Sequence, residues 1–217
     1  MLFSRKTLQS LILLAAFAIA MAYLEAAVVV YLRKIYYPDG FHFPLVDVSR
    51  SILLIEIGRE VATIIMLYAA AKMLAVKRQE LISYFLYTFG IWDIFYYVWL
   101  KILLNWPSSL LDWDVLFLIP LPWLGPILAP LLISLSFITA SLVILRYEST
   151  EHPLRFNNWE IVCVIISAVV IIISFLTELK SIILVQPPQH YHWFIFTAGL
   201  ALSLVIFIRK IVLHRPN

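Results

Sequence analysis

Long apolar runs separated by short polar segments fill most of this chain of 217 residues. Each run approaches the length of about 20 residues that an α-helix needs to cross roughly 30 Å of hydrocarbon. Apolar positions are continuous rather than alternating within the runs, which excludes a transmembrane β-barrel. The pattern predicts an all-α integral membrane protein with about six transmembrane helices, at residues 8–32, 51–71, 81–104, 115–145, 161–177 and 193–213.

The composition also indicates a membrane protein. Hydrophobic residues make up 63% of the chain and charged residues 13%, against about 25% charged in soluble domains. Too little polar surface remains to cover the molecule, so the lipid bilayer is its expected partner. The net charge is +3, but the basic residues lie at the ends of the runs, which argues for a topology signal and against nucleic-acid binding. No linker or repeat divides the chain, which predicts a single domain over residues 1–217.

The distribution of Lys and Arg predicts the orientation. With the N-terminus inside, the cytoplasmic segments hold ten basic residues and the outer segments hold five. The positive-inside rule then predicts a multi-pass protein of the cell membrane with both termini in the cytoplasm. Arg5 and Lys6 ahead of an apolar run resemble a signal peptide, but the run continues to Leu32, which favours an uncleaved first helix.

Five ionisable residues interrupt the first three runs. They are Glu25, Glu56, Arg59, Glu60 and Asp93. A charge at membrane depth costs at least about 2.5 kcal/mol, so such residues usually face the protein interior and have a function.

Helical spacing gathers these residues on single faces, because positions i, i+3, i+4 and i+7 lie on one side of a helix. The second span has this spacing at Glu56, Arg59, Glu60 and Thr63. The third span has it at Asp93, Tyr96, Tyr97 and Lys101. The first span carries small residues beside Glu25, which let helices approach closely: Ala15, Ala18, Ala22 and Ala26. The three spans are therefore expected to enclose one cluster.

Two interpretations of this cluster stay open. Arg59 could neutralise a neighbouring carboxylate, and the paired charges would then only fix the register of the helices. However, four carboxylates against one arginine leave an excess of negative charge. In a low-dielectric interior that excess requires bound protons or cations. The candidate ion, proton or metal ligands are Glu25, Glu56, Glu60 and Asp93, with Arg59 as charge partner and Tyr96 and Tyr97 as supporting residues.

A proline-rich segment from Asn105 to Pro130 leads into the fourth span. Residues 115–145 would be about 46 Å long as one helix, which exceeds the thickness of the hydrocarbon. The prolines therefore predict a re-entrant or sharply kinked element before or within the fourth helix, of the kind that lines binding sites in transporters. Asp112, Trp113 and Asp114 would support such a site. The alternative is an interfacial aromatic belt with two ordinary solvated aspartates.

Metal chemistry has candidate ligands but no signature motif. His190 and His192 lie in the last outer loop, on the same side as the carboxylates. Histidine and glutamate together could hold a divalent metal ion such as iron, manganese or zinc. The sequence lacks HExxH and the Glu-x-x-His repeat of di-iron bundles, so an interfacial loop is the favoured explanation.

Three classes of function fit these features. The first is ion- or proton-coupled transport or cation binding by the carboxylates. The second is a metal-dependent intramembrane enzyme that acts on a lipid or quinone-like substrate. The third is a non-catalytic subunit or assembly factor of a larger membrane complex, with other membrane proteins or further copies of the chain as partners. The excess of carboxylates favours the first class, and whether the protein is an enzyme stays open.

Overall fold

A computed structural model describes residues 3–148, 150 and 152–214 of the chain. Long helices dominate the described residues, and one β-hairpin lies among them. The helices are α1 (Arg5–Tyr36), α2 (Arg50–Leu74), α3 (Arg78–Leu104), α4 (Leu128–Glu148), α5 (Asn158–Leu176), α6 (Leu179–Ile183) and α7 (Trp193–Val212). The strands are β1 (Trp113–Phe117) and β2 (Trp123–Pro126).

Five helical stretches among the described residues are long and apolar enough to cross a membrane. They are α1, α3, α4, α7, and α5 continued by α6. At 25 residues α2 also has the necessary length, but Glu56, Arg59 and Glu60 make it too polar to belong to this group. The second predicted span is therefore a long helix with a polar stripe, and the other five predicted spans contain apolar helices.

Capping residues determine where several helices begin and end. The Ser4 hydroxyl accepts a hydrogen bond from the Thr7 amide at 3.1 Å and starts α1. Asn157 and Glu160 form a capping box at the start of α5, in which each side chain accepts from the other's amide. Asn105 ends α3 in a left-handed conformation with φ of 53°, which Asn tolerates better than most residues.

Small residues let α3 pack closely between α1 and α4. On α1 the stripe of Ala18, Ala22 and Ala26 is fully buried, which confirms the close approach expected from its spacing. On α3 a Cβ atom at Gly90 would lie 2.7 Å from the Ser134 backbone oxygen of α4, so the two helices approach as closely as glycine allows. Because α2 packs against both α3 and α1, the first three helices enclose a common interior.

The helices α5 and α7 form a second pair. A Cβ atom at Gly199 of α7 would lie 2.8 Å from the Ile171 side chain, and the Ser167 hydroxyl donates to the Gly199 carbonyl at 2.6 Å. This pair joins the rest of the molecule partly through Phe175, whose ring stacks on Trp123 of β2 with centroids 5.8 Å apart. The hairpin therefore connects the two helical groups.

The start of the predicted span 115–145 is a β-hairpin rather than helix. The strands β1 and β2 are antiparallel, with Asp114 opposite Gly125 and Val115 opposite Leu124. Helix begins only at Leu128, because the prolines ahead of it lack the N–H that a helix interior requires. The β-prone side chains of Trp113, Val115 and Phe117 favour extended backbone. The all-α prediction is therefore wrong for this segment, where a re-entrant or sharply kinked element was expected before or within the fourth helix.

Candidate functional site

One guanidinium group joins two carboxylates from two helices. Arg59 of α2 forms an ion pair with Glu25 of α1, whose side chain is 4% exposed. Arg59 also donates to Oε2 of Glu56 from Nε at 3.0 Å and from Nη2 at 2.8 Å. The structure thus brings together three of the five ionisable residues that interrupt the apolar runs.

Thr63 lies one helical turn beyond Arg59 and completes this arrangement. Its hydroxyl donates a hydrogen bond to Oε1 of Glu25 and also lies 3.0 Å from the Arg59 carbonyl oxygen. The polar stripe predicted on the second span therefore faces α1 at Glu56, Arg59 and Thr63.

Glu60 binds the hairpin instead of α1. The Leu118 amide, just after β1, donates to both carboxylate oxygens of Glu60, at 3.0 Å and 2.9 Å. Glu60 is buried, and its contact attaches the turn of the hairpin to the middle of α2. Because the Glu60 carboxylate is titratable, its charge affects how firmly the Leu118 amide is held.

Asp93 lies at the interface of α3 and α4. The Ser134 hydroxyl of α4 donates to Oδ2 of Asp93 at 2.7 Å. This contact is one helical turn from Gly90, where the two helices approach most closely at the Ser134 backbone. The hydrogen bond of Asp93 is therefore with α4, whereas Arg59 pairs with carboxylates of α1 and α2.

A second buried ion pair joins α1 to the hairpin. Nη2 of Arg33 lies 2.9 Å from Oδ1 of Asp114, and the two residues are 7% and 3% exposed. The Arg33 guanidinium also lies 3.7 Å from the centroid of the Trp106 ring and 4.2 Å from that of Phe41. The guanidinium is held by a carboxylate and two aromatic faces, an arrangement suited to a partly desolvated cation.

The first apolar run ends at Leu32, so Arg33 counts among the five basic residues of the outer segments, and its pairing with Asp114 was not predicted. The available signal was its position seven residues after Ala26, which continues the buried helical face of Ala18, Ala22 and Ala26. Asp114 was predicted as a supporting residue of the site, with a solvated aspartate as the alternative. The structure buries Asp114 in the interior, so the alternative is wrong for this residue.

Two tyrosines occupy the space between the groups. The rings of Tyr96 and Tyr97 on α3 have centroids 5.0 Å apart. Tyr96 interacts electrostatically with Asp114, Arg33, Arg59 and Asp93, which belong to three of these groups. We call the whole arrangement the polar cluster, comprising Glu25, Arg33, Glu56, Arg59, Glu60, Thr63, Asp93, Tyr96, Tyr97 and Asp114.

No family model, no curated protein and no solved structure matches the chain. A functional proposal for this chain therefore rests on the geometry of the polar cluster.

The polar cluster holds more carboxylates than cations. It contains five carboxylates and the two guanidinium groups of Arg33 and Arg59, an excess of three negative charges when all are ionised; three of the carboxylates, Glu25, Glu56 and Asp114, contact a guanidinium group. Such an excess is unstable in an interior that water does not screen, so the cluster favours bound protons or cations. The chemistry open to it is proton uptake, proton release and cation binding.

Asp112 and Trp113 take structural roles beside the cluster. Asp112 accepts hydrogen bonds from the Ser108 amide at 2.7 Å, the Ser108 hydroxyl at 2.8 Å and the Ser109 amide at 3.1 Å. Desolvation opposes ionisation, but these hydrogen bonds outweigh it and hold the pKa of Asp112 below its usual range. The Trp113 ring packs edge-on against Tyr191, with centroids 6.0 Å apart. Asp112 is thus held by the loop before β1, and Trp113 by an aromatic contact with Tyr191.

The histidine candidates lie away from the carboxylates. Both His190 and His192 are exposed. Within residues 3–148, 150 and 152–214, no group of three or more His, Cys, Asp or Glu side chains is arranged to hold a metal ion. The described geometry gives no support to a divalent metal centre.

Proposed function

We propose that this protein is a multi-pass protein of the cell membrane with both termini in the cytoplasm. Its apolar helices support this placement, since large apolar side chains such as Ile12, Ile165 and Val205 point outward and are more than half exposed. The ten-to-five distribution of basic residues supports the orientation.

Within that membrane the polar cluster takes up and releases protons as part of ion- or proton-coupled transport. The observation that carries this proposal is the excess of three carboxylates over guanidinium groups in one packed interior. Protons are favoured over divalent cations as the bound species, because the described residues offer no group of three metal ligands.

The contacts of the cluster suggest how protonation would change the protein. Neutralising Glu25 weakens its hold on Arg59, which keeps Glu56 as an alternative partner 2.8 Å away. Neutralising Glu60 weakens its hydrogen bond from the Leu118 amide and loosens the turn of the hairpin. Both changes alter contacts between elements, as a transport cycle requires.

Proton movement into vesicles tests the proposal. The purified chain is reconstituted in vesicles containing a pH-sensitive dye, and an outward potassium gradient with valinomycin supplies the driving potential. We expect a proton flux that falls at least about tenfold in Glu25→Gln and in Glu60→Gln, because each loses a titrating group but keeps its shape. Asp39→Asn, in an exposed loop, is the matched control and should conduct normally.

Two results would refute the transport proposal. One is a flux no greater than that of empty vesicles. The other is a flux that Glu25→Gln, Glu60→Gln and Asp93→Asn all leave unchanged.

A second candidate is a non-catalytic subunit or assembly factor of a membrane complex. It is favoured by the observation that Glu25, Glu60, Asp93 and Asp114 each already have a hydrogen-bonding or charged partner within the chain. Such pairing suits a scaffold that fixes helix positions. In that case Glu25→Gln would lower thermal stability, and vesicles with the unchanged protein would show no flux. The described residues give no comparable support to the metal-dependent enzyme.

A further inference from the structure

Ion pairs bring the ends of several helices together at one end of the bundle. Nζ of Lys77, just before α3, lies 2.9 Å from Oε1 of Glu148 at the end of α4. Nζ of Lys210 on α7 lies 3.1 Å from Oε2 of Glu160 on α5. Basic residues are frequent at this end, and in the proposed orientation it faces the cytoplasm: Lys77, Arg78, Arg146, Arg155, Arg209 and Lys210.

A cavity of about 290 Å³ opens between the start of α5 and the end of α7. Its volume lies near the lower limit of small-molecule sites, about 300 Å³, so it suits a headgroup rather than a large ligand. Six residues line it: Asn157, Glu160, Arg209, Lys210, Leu213 and His214.

The charges that line this cavity favour an anion. Glu160 is the acidic residue of the lining, and it is already held by Lys210 and by the Asn157 amide at 2.8 Å. The exposed Arg209 lies over the Trp159 ring, 5.0 Å from its centroid. A cation–π contact leaves the guanidinium N–H groups available, and two of them match the oxygens of a phosphate.

Apolar side chains continue from the cavity along both helices. Ile161 on α5 and Ile208 and Val212 on α7 are exposed large hydrophobic residues near its rim. Trp159, which is 46% exposed, belongs to the residue type that anchors at membrane interfaces. A ligand with a charged headgroup and apolar chains matches a basic cavity beside apolar helix faces better than a free anion does.

We propose that the cavity between α5 and α7 binds the phosphate headgroup of an anionic phospholipid, with its acyl chains along the exposed apolar faces of these helices. Arg209 supplies the main phosphate contact, and His214 also lines the cavity. This inference rests on the membrane placement proposed above, but it does not depend on proton transport. The anionic surface of a cytoplasmic leaflet supplies such lipids.

Native mass spectrometry of the full chain in detergent micelles tests the site. Dioleoylphosphatidylglycerol is titrated against dioleoylphosphatidylcholine, which has the same chains and no net charge. We expect phosphatidylglycerol to bind at least about fivefold more tightly than phosphatidylcholine. In the double variant Arg209→Gln with His214→Gln, this preference should disappear. Lys34→Gln combined with His42→Gln is the control, since it likewise replaces one basic residue and one histidine, at exposed positions of the other end.

A milder variant guards against loss of folding. Arg209→Lys keeps the charge but loses the two-pronged geometry, so it should reduce the lipid preference by about half while thermal stability without added lipid stays unchanged. Equal binding of the two lipids, equal loss in the control, or full competition by inorganic phosphate would overturn the assignment.

Failure of this site and failure of membrane placement give different results. Flotation of the protein with vesicles of phosphatidylcholine alone reports membrane embedding. A protein that floats but shows no lipid preference therefore refutes the headgroup site alone.

Discussion

Arg33 of α1 and Asp114 of β1 form a buried ion pair with 2.9 Å between Nη2 and Oδ1. It connects the end of the first helix to a strand 81 positions later in the chain. Breaking one side of a buried pair leaves an uncompensated charge, which costs about 3–5 kcal/mol.

We therefore expect Asp114→Leu to lower the free energy of unfolding by about 3–5 kcal/mol, measured by denaturant titration in micelles. Arg33→Met combined with Asp114→Leu should recover most of this loss, because neither charge is then left unpaired. Losses that simply add in the double variant would show that the pair is not coupled.

Two glycines in neighbouring helices are predicted to respond oppositely to alanine. Gly90→Ala should lower stability by about 1–3 kcal/mol, since the added Cβ would lie 2.7 Å from the Ser134 oxygen and force α3 away from α4. Gly58→Ala is the matched control: nothing lies within 4 Å of its added Cβ, and alanine raises helix propensity by up to about 1 kcal/mol. Thermal unfolding in the same detergent compares them, and equal effects would contradict the close packing.

The contact between Glu60 and the hairpin should be visible in amide hydrogen exchange. Glu60→Ala removes the acceptor of the Leu118 amide, so exchange at this amide should accelerate by about tenfold. Glu60→Gln keeps a carbonyl acceptor but loses the charge, so it should accelerate exchange less than Glu60→Ala does. An exchange rate of the Leu118 amide that is unchanged in both variants would show that Glu60 does not hold the turn.

The folded conformation of the loop before β1 should lose stability at acidic pH. Desolvation is outweighed by hydrogen bonds from Ser108 and Ser109, which place the pKa of Asp112 below its usual value of about 4. The ionised Asp112 carboxylate therefore stabilises the folded loop at pH values above the usual pKa of an aspartate. This stabilisation is lost as the pH falls through the lower pKa of the folded state. The NMR shift of the Ser108 amide should titrate with a midpoint below about 4. The transition should vanish in Asp112→Asn, and a midpoint above the usual value would contradict the assignment.

Periodicity predicted the helices and part of the polar cluster because both depend on local spacing. The stripe of Glu56, Arg59 and Thr63 faces Glu25 as its spacing indicated. Glu60 differs, since its partner is a backbone amide in a distant turn, and no side-chain pattern marks a backbone donor. The sequence could therefore locate the carboxylates but could not identify which element each one contacts.

The hairpin was harder to predict for a related reason. Prolines show where helix is excluded, but whether the excluded segment pairs with itself depends on contacts made elsewhere. Here those contacts come from Arg33 on Asp114, Glu60 on Leu118 and Phe175 on Trp123. All three join residues more than 50 positions apart, beyond the reach of local pattern analysis.

The ion pair between Arg59 and Glu25 has a consequence for how the chain would enter a bilayer during synthesis. At the centre of a helix an Arg opposes insertion by roughly 2.5–3.5 kcal/mol, and Glu56 and Glu60 add further charge to α2, so α2 would partition poorly by itself. Glu25 on the preceding helix offers Arg59 a partner that emerges first from the ribosome. The first two helices would therefore leave the translocation channel as a pair. In that pair α1 would assist the insertion of α2 by supplying the counter-charge for Arg59.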